Sequence, residues 1–379
     1  MNKTKGFFEA TAILIGTIIG SGIFAIPYVI MKAGLLIGVF YFILLGLMIL
    51  TMHLVYGEIV LRTSSTHRIV GYGEKYLGKS GRNILFVAAL VNLLMSNLVY
   101  LILGGNFLSS IFGDIGNNLF YVFLFWALLS LGVIYDWKKV SFLDLIMTVS
   151  LLLAIVIVAV FGFMHFRAAN ITLVNWQYVF LPWGVIFYSI AGASAVPELK
   201  EILDKNKKGI KKAIILGTVL PIIFYFVFSL GIVGASGAKT SPEGIMGMKG
   251  IFSQTIVDLA AILGILCVAT SYLVMGITLK KIFIYDLKIT KAVSLLLVCL
   301  IPIALFLLGM QNFIWILSFL GLWLGAGEGI LLLTMHRRAK AAGDRKPEYS
   351  LNLPTYVYYL IGSLFIIAPI LTIIFVQYK

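Results

Sequence analysis

Residues 16–27 read Gly-Thr-Ile-Ile-Gly-Ser-Gly-Ile-Phe-Ala-Ile-Pro and lie inside an apolar run that begins near residue 7. The last six of them, from Gly22 to Pro27, have the pattern Gly-x-x-Ala-(Ile/Val)-Pro. The same pattern recurs 170 residues later, from Gly192 to Pro197. A motif repeated at such a distance predicts that the chain contains two similar halves.

Other parts of the chain follow the same offset. Apolar runs that start near residues 82 and 140 are matched by runs that start near 252 and 310. The two copies of the repeat therefore span about residues 6–167 and about residues 176–337.

The composition indicates a membrane protein. Of the 379 residues, 61% are apolar and 12% charged, and the mean hydropathy is +1.06. A soluble domain of this composition would lack the polar residues to cover its surface. Apolar runs of about 18 residues or more predict membrane-spanning helices. Eleven such runs occur, at about 7–33, 36–61, 83–112, 119–135, 140–166, 177–202, 210–235, 252–284, 291–309, 311–335 and 355–376. The sequence predicts one all-α transmembrane domain over residues 1–379, located in the cell membrane.

The basic residues predict the orientation of this domain. When the loops are assigned alternately from a cytoplasmic N-terminus, 24 of the 29 Lys and Arg residues fall on the cytoplasmic side. This bias is the positive-inside pattern, and with eleven helices it places the C-terminus outside. The net charge of +14 then serves topology and lipid contact, and does not indicate nucleic-acid binding. Each half contains five helices, so the second half crosses the membrane in the opposite sense. An inverted repeat plus one extra helix, 355–376, is typical of secondary transporters that work by alternating access.

The repeated motif predicts a break in the first and sixth helices. Gly weakens a helix, and Pro removes a backbone donor, as at Pro27 and Pro197. Freed backbone groups cannot face lipid, so each break must lie in protein or line a cavity. Helix N-terminal N–H groups suit a carboxylate, and unwound carbonyls suit an ammonium group or a metal cation. A site with both poles fits a zwitterionic amino acid.

Three stretches resemble known transporters. Residues 16–27 resemble the first-helix motif of the amino acid–polyamine–organocation superfamily. Pro197-Glu198-Leu199-Lys200, together with residues 211–218 and Pro221, is similar to the amino acid/auxin permease branch. Residues 269–273, Ala-Thr-Ser-Tyr-Leu, are similar to the tryptophan/tyrosine permeases within it. The resemblance implies a leucine-transporter-type fold of five plus five helices, with the substrate between helices one, three, six and eight.

The resemblance also implies which residues bind the substrate. The N–H groups of Ser21, Gly22 and Ile23 would hold its carboxylate. Carbonyls near two pairs of residues would receive its amine. Those pairs are Thr17 with Ile18 and Tyr188 with Ser189. Aromatic side chains would form the walls, and Gly192 belongs to the second break. These wall residues are Phe24, Trp183, Phe187 and Tyr188. In helix three, Asn97, together with Asn92 and Tyr100, would face the site or form hydrogen bonds between helices.

Two kinds of coupling ion are expected. In the register of sodium-coupled members of the fold, five oxygens would surround one Na⁺. They are the carbonyls of Gly16, Ile19 and Cys267 and the hydroxyls of Thr270 and Ser271. Alternatively, these two hydroxyls bond back to carbonyls of their own helix. The resemblance to tryptophan/tyrosine permeases instead implies a proton.

Four acidic residues lie in or near the apolar runs, where ionisable groups are candidates for function. Glu58 and Glu328 lie deepest, as proton carriers or as partners of cytoplasmic Lys or Arg in a gate. Asp144 and Asp258 lie near helix ends.

The most consistent function is cation-coupled amino acid symport. An amino acid sensor on the same fold and an amine or polyamine exchanger are the alternatives. No metal motif or nucleophile–base pair indicates an enzyme, because the four histidines are scattered. Cys267 and Cys299 lie in apolar runs and are expected to be buried free thiols. The loop from Thr66 to Lys79 is expected to be a short interfacial helix or a plain basic loop. The substrate's identity and the oligomeric state stay open.

Overall fold

The computed structural model describes residues 3–113, 118–134, 153 and 155–376, and the regular secondary structure of this part is helical. The longer helices are α1 (Lys3–Ile18), α2 (Gly22–Ala33), α3 (Leu35–Leu61), α4 (Ile69–Phe112), α5 (Asn118–Ile134), α6 (Ile155–Met164), α7 (Leu181–Ile190), α8 (Val196–Ile202), α9 (Ile210–Ser236), α10 (Gln254–Lys281), α11 (Lys291–Leu307), α12 (Phe313–Phe319), α13 (Gly325–Ala342) and α14 (Thr355–Phe375).

Each predicted apolar run coincides with a helix or a broken helix, except that the first half of 140–166 lies outside the described residues, as does Asp144. Within the described residues, six continuous helices qualify as membrane spans by length and composition, and seven if the bent pair α1–α2 counts as one. The chain is thus a multi-pass membrane protein. The count of eleven crossings and the side of each terminus stay predictions.

The two predicted breaks are present. The axes of α1 and α2 differ by 57° across Ile19-Gly20-Ser21. The sixth run is interrupted between Ile190, the end of α7, and Val196, the start of α8. Pro197 lies in the first turn of α8, where a missing N–H costs little. Pro27 lies inside α2, so the first break comes before the proline and not at it.

The broken helices form the centre of the bundle. α2 packs against α7 and α9, and α1 packs against α9 and α8. On one flank α3 packs against α9 and α7, and on the other α10 packs against α4. The outward face of α3 carries a stripe of exposed apolar side chains. They recur at helical spacing and are Leu36, Phe40, Ile43 and Leu47. Their exposure is what a lipid-facing surface requires.

The segment from Thr66 to Lys79 contains a short helix. α4 begins at Ile69, and its regular backbone is interrupted at Gly78, where φ is 75° and ψ is −165°. Only glycine adopts this backbone readily, so Gly78 separates the short helix 69–77 from the long part of α4. The helical reading of this segment is confirmed. Both cysteines are buried and neither takes part in a disulfide bond among the described residues.

Candidate functional site

The first break leaves a small group of backbone N–H donors without partners. Ile23 N–H donates to Gly20 O at 3.3 Å, and Phe24 N–H donates to Ser21 O at 3.2 Å, which starts the new helix with tight turns. The N–H groups of Ser21 and Gly22 have no acceptor among the residues that the structure describes. These are two of the three donors predicted to hold a carboxylate.

A tyrosine from α9 fixes the first break. The hydroxyl of Tyr225 donates to Ile18 O at 2.7 Å and accepts from Gly20 N–H at 3.2 Å. Its side chain is fully buried. One phenol therefore satisfies an orphan carbonyl from the end of α1 and an orphan N–H of the break. Ile18 O, predicted to receive the substrate amine, already accepts a hydrogen bond.

A histidine from α3 fixes the second break in a comparable way. Gly192 N–H donates to His53 Nε2 at 3.1 Å. The other ring nitrogen, Nδ1, lies 2.9 Å from Thr218 Oγ1 on α9. His53 and Thr218 are both buried. The next two N–H groups, of Ala193 and Ser194, have no acceptor within the described part of the chain.

Each half of the repeat therefore supports the break of the other half. His53 belongs to the first half and holds the second break, while Tyr225 belongs to the second half and holds the first. The two side chains are 172 residues apart, close to the 170-residue offset of the motif. They were missed from the sequence because buried His and Tyr usually serve packing. Comparing the polar residues of helices two and seven near the 170-residue offset is the one sequence signal that brings the two together, because Tyr225 lies two residues beyond the exact counterpart of His53.

The two breaks also touch each other through their glycines. A Cβ atom on Gly22 would lie 2.7 Å from Ser189 Cβ, and one on Gly192 would lie 3.1 Å from Ile18 Cδ1. Both glycines are thus required for the close approach of the two breaks. A Cβ on Gly20, in contrast, would have no atom within 4 Å. The expected open space for a carboxylate therefore lies beside Gly20, and Gly22 is a packing position.

Polar side chains of α4 face this centre. The Tyr100 hydroxyl lies near the side chains of Ser21 and Ser271, between the first break and α10. Ser96 Oγ lies 2.7 Å from the hydroxyl of Tyr188, just before the second break. Ser96 was not predicted, and Tyr188 is placed at the site as expected.

Other predicted site residues lie elsewhere. Phe187 stacks edge-on against Phe365 of α14, with ring centroids 5.5 Å apart, and it also abuts Gly325. Trp183 contacts Tyr41 on α3, with centroids 5.8 Å apart.

Phe24 packs edge-on against Phe107 at 5.1 Å. Asn97 is fully buried beside α10, close to the position of Gly276, and its amide has no hydrogen-bond partner in the described part. The structure therefore brings Tyr188 to the breaks, while these aromatic rings and Asn97 pack against neighbouring helices.

Thr270, predicted to bind Na⁺, forms hydrogen bonds within its own helix. Thr270 Oγ1 donates to Leu266 O at 3.1 Å and to Cys267 O at 3.0 Å. This is the back-bonded alternative for a helical threonine. In addition, α1, which carries Gly16, packs chiefly on α9 and α8, whereas α10 packs chiefly on α4. The five-oxygen site stays a prediction for another conformation.

Glu58 lies in a buried cluster of polar groups. It accepts from Arg62 Nε at 2.8 Å and from Leu351 N–H at 2.6 Å, and His336 Nε2 lies 2.9 Å from its Oε2. Ser350 Oγ donates to it at 2.9 Å. Glu58 thus has the arginine partner of the gate hypothesis.

Glu328 and Asp258 differ from Glu58 in their surroundings. Glu328 is half-buried in the first turn of α13, without a hydrogen bond or ion pair to any described residue. Asp258 accepts from Gln254 Nε2 at 2.7 Å near the start of α10.

A loop covers the α2 side of the breaks. Residues 237–253 join α9 to α10, and within them Glu243 Oε1 accepts from Asn106 Nδ2 at 2.6 Å. Lys249 Nζ donates to Ser110 O at 3.0 Å, and Gly244 sits against Phe24 O. On the α1 side, Thr17 is exposed. Burial raises the pKa of the Glu243 carboxyl above its ordinary value.

Comparisons with known proteins agree with this architecture. A family model described as the tryptophan/tyrosine permease family matches residues 3–373. Tyrosine-specific transport system 1 of Haemophilus influenzae is 25% identical over 238 residues, which are 61% of this chain and 57% of that protein. Tyrosine-specific transport system 2 of the same organism is 26% identical over 238 residues, which are 60% and 57%. The alignments thus span less than two thirds of these relatives.

A solved structure shows the same fold. The chain matches the crystal structure of MhsT in complex with L-phenylalanine with a TM-score of 0.67, over 97% of both chains, at 15% sequence identity. At this identity the match concerns the fold alone. It confirms the predicted leucine-transporter-type fold.

Proposed function

The chain belongs to the tryptophan/tyrosine permease family, and on that premise we propose that it is a secondary transporter of amino acids. Aromatic amino acids are the first class to test, because two relatives are tyrosine-specific systems and the structural neighbour holds L-phenylalanine. The function is transport by alternating access, coupled to a cation.

This proposal rests on the backbone donors of the two breaks, which lie close together. Each break offers two N–H groups without acceptors, at Ser21 and Gly22 and at Ala193 and Ser194. Such donors at the start of a helical segment stabilise an anion, and the open space beside Gly20 gives a carboxylate room to approach. Tyr188, just before the second break, is held by Ser96.

The surroundings of the breaks support alternating access. The loop 237–253 closes the α2 side, whereas Thr17 on the α1 side is exposed. With the predicted orientation, the α1 side is cytoplasmic, and the conformation corresponds to a closed outer gate. Opening of the outer side requires the loop to leave α4, while the cytoplasmic Glu58–Arg62–His336 cluster stays closed.

The test is uptake by proteoliposomes that contain the purified protein, with radiolabelled L-tyrosine, L-tryptophan and L-phenylalanine and with L-lysine and putrescine as competitors. Accumulation of an aromatic amino acid, blocked by the unlabelled compound, is the expected result. Specific binding without uptake under any gradient would favour an amino acid sensor. Exchange of the amines alone would favour an amine exchanger.

The coupling ion is tested in the same vesicles. An imposed Na⁺ gradient and an imposed pH gradient are compared for the wild type and for Thr270→Ala. A sodium mechanism requires that Thr270→Ala weakens the stimulation by Na⁺ far more than substrate binding at saturating Na⁺. Uptake that ignores Na⁺, responds to the pH gradient and survives Thr270→Ala indicates a proton. We favour the proton, because Thr270 is back-bonded within α10.

A further inference from the structure

The hydrogen bonds of His53 determine which form of the imidazole the structure accommodates. The N–H of Gly192 can only donate, so Nε2 of His53 must accept and cannot carry a proton. The ring is then neutral, with its proton on Nδ1, and it donates to Thr218 Oγ1 at 2.9 Å. The second break is therefore built on a neutral imidazole.

A second proton on His53 would abolish this arrangement. Two N–H groups would face each other across the 3.1 Å that now separates Gly192 N from Nε2. The ring is only 1% exposed and has no room to bond elsewhere without moving the break. Protonation would therefore release the N–H of Gly192, next to the free donors of Ala193 and Ser194. Three adjacent N–H groups and a nearby positive charge form a stronger site for a carboxylate than two N–H groups alone.

Charged and titratable side chains are present on α2, α7, α8, α9 and α13, which pack against α3, but within the described residues none forms a hydrogen bond or ion pair with His53. Several of them are engaged with other partners. They are Lys32 over the rings of Tyr28 and Tyr178, Tyr188 with Ser96, Glu198 with Arg68, Lys200 with Thr63 O and Ser64 O, Tyr225 with Gly20 and Ile18, and His336 with Glu58. The remaining ones are Glu201 on α8, Lys211 and Lys212 on α9, Glu328, Arg337, Arg338 and Lys340 on α13, and Tyr41, Tyr56 and Glu58 on α3 itself.

Tyr225, the counterpart of His53 in the other half, differs from His53 in its response to pH. Tyr225 holds the first break through a hydroxyl that donates to one backbone group and accepts from another. A phenol keeps its proton at neutral pH, whereas the ordinary pKa of an imidazole lies close enough to neutral for a change in its surroundings to add or remove a proton. Of the two symmetry-related supports, only His53 has a strength that a proton can change.

We propose that His53 binds the proton that drives uptake, with Gly192 as the backbone group through which the proton and the substrate carboxylate are coupled. This rests on the proposed transport function. The proton arrives from water with the substrate, occupies Nε2 and frees the Gly192 N–H for the carboxylate. When the substrate leaves, Gly192 N–H returns to Nε2 and the proton passes to water on the other side. Because coupling is reciprocal, the substrate strengthens proton binding by the same factor as the proton strengthens substrate binding.

The key variant is His53→Gln, because the glutamine amide still offers an oxygen to Gly192 N–H but cannot be protonated. The matched control is His67→Gln, at a half-exposed loop histidine bonded to Ser65. Radiolabelled L-tyrosine is measured in proteoliposomes, first by exchange without a gradient and then by accumulation under a gradient of one pH unit. One coupled proton allows about tenfold accumulation per pH unit. The wild type and His67→Gln are expected to approach this limit. His53→Gln is expected to exchange at a reduced but measurable rate and to accumulate nothing.

If His53→Gln loses all transport, a second measurement still tests the proposal. In weakly buffered detergent solution, substrate binding to the wild type should take up protons, and the uptake should have a midpoint on the pH scale. This midpoint should shift in Thr218→Val, where the acceptor of Nδ1–H is lost. It should return to the wild-type value in Thr218→Ser. A midpoint that is the same in all three proteins overturns the proposal.

Two other outcomes separate this proposal from the transport function. Accumulation by His53→Gln to the wild-type level, or wild-type uptake driven by Na⁺ alone, overturns the proton site while transport stands. Absence of both binding and exchange in the wild type overturns transport itself, and the proton site with it.

Discussion

Tyr225→Phe should weaken substrate binding, because it removes one oxygen that satisfies two backbone groups of the first break. Ile18 O lies at a residue that is 3% exposed and would lose its donor without access to water. Such an unsatisfied buried group costs about 1–3 kcal/mol. Gly20 N–H lies beside open space, where water can replace the phenol, so its loss adds about 1 kcal/mol or less. The total is about 1–4 kcal/mol.

Where this cost appears depends on which state needs the ordered break. If the substrate binds only to the ordered break, about 2 kcal/mol corresponds to roughly a 30-fold weaker affinity. Binding of radiolabelled L-tyrosine in detergent measures the affinity, and thermal unfolding of the same sample measures stability. The matched control is Tyr56→Phe, since the Tyr56 hydroxyl is buried without a hydrogen-bond partner. Removal of that hydroxyl should leave affinity unchanged. If Tyr225→Phe binds and unfolds like the wild type, Tyr225 does not support the break.

Three further predictions follow from the geometry. Gly20→Ala should lower the affinity for substrate with little effect on thermal stability, because the added Cβ enters the open space. Gly22→Ala should reduce both affinity and stability, because its Cβ would lie 2.9 Å from Ser189 Cα. Equal effects of the two variants would contradict this account. Glu58→Ala should destabilise the protein by about 3–5 kcal/mol in thermal unfolding, since the partners of a buried ion pair lose their counter-charge. The pKa of Glu243 is raised in the closed loop, so the closed loop binds the Glu243 proton more tightly than the open loop does. Closure is therefore favoured below the ordinary carboxyl pKa and weakens as the pH rises through the raised pKa. The rate of labelling of Met248→Cys, divided by the rate for free cysteine at the same pH to remove the effect of thiolate formation, should thus rise with pH, and Glu243→Gln in that background should remove this rise.

Much of the fold could be predicted from the sequence, because the membrane makes the hydrophobic pattern decisive. Apolar runs of spanning length mark the helices, and the repeated Gly-x-x-Ala-(Ile/Val)-Pro motif marks the breaks. The exact location of a break was less predictable. Pro27 lies within α2, and the chain bends before it, where Gly20 and Ser21 lack the helix preference of their neighbours.

The side chains around the site were less predictable than the fold. The orientation of Phe187 toward α14 depends on how helices of both halves pack, which no local pattern contains. The same holds for Asn97, which lies on the flank of α4 toward α10, while Ser96 and Tyr100 face the breaks. A rotation of one residue along a helix is about 100° and decides between site and core. Composition can identify a polar residue in a membrane helix, but only packing selects the face.

The cross-support of the breaks has a consequence for transport. Because His53 in one half holds the break of the other, and Tyr225 does the reverse, neither half can move against the other without straining a hydrogen bond at a break. Two equal supports would make the two breaks rigid together and would favour neither direction of movement. A histidine on one side and a tyrosine on the other remove this symmetry, since a proton can release only Gly192. The first break then remains a fixed half of the carboxylate site, and the second break becomes the half whose donors depend on proton binding. An amino acid that needs donors from both breaks binds most tightly when the proton is present, which is the thermodynamic requirement for symport.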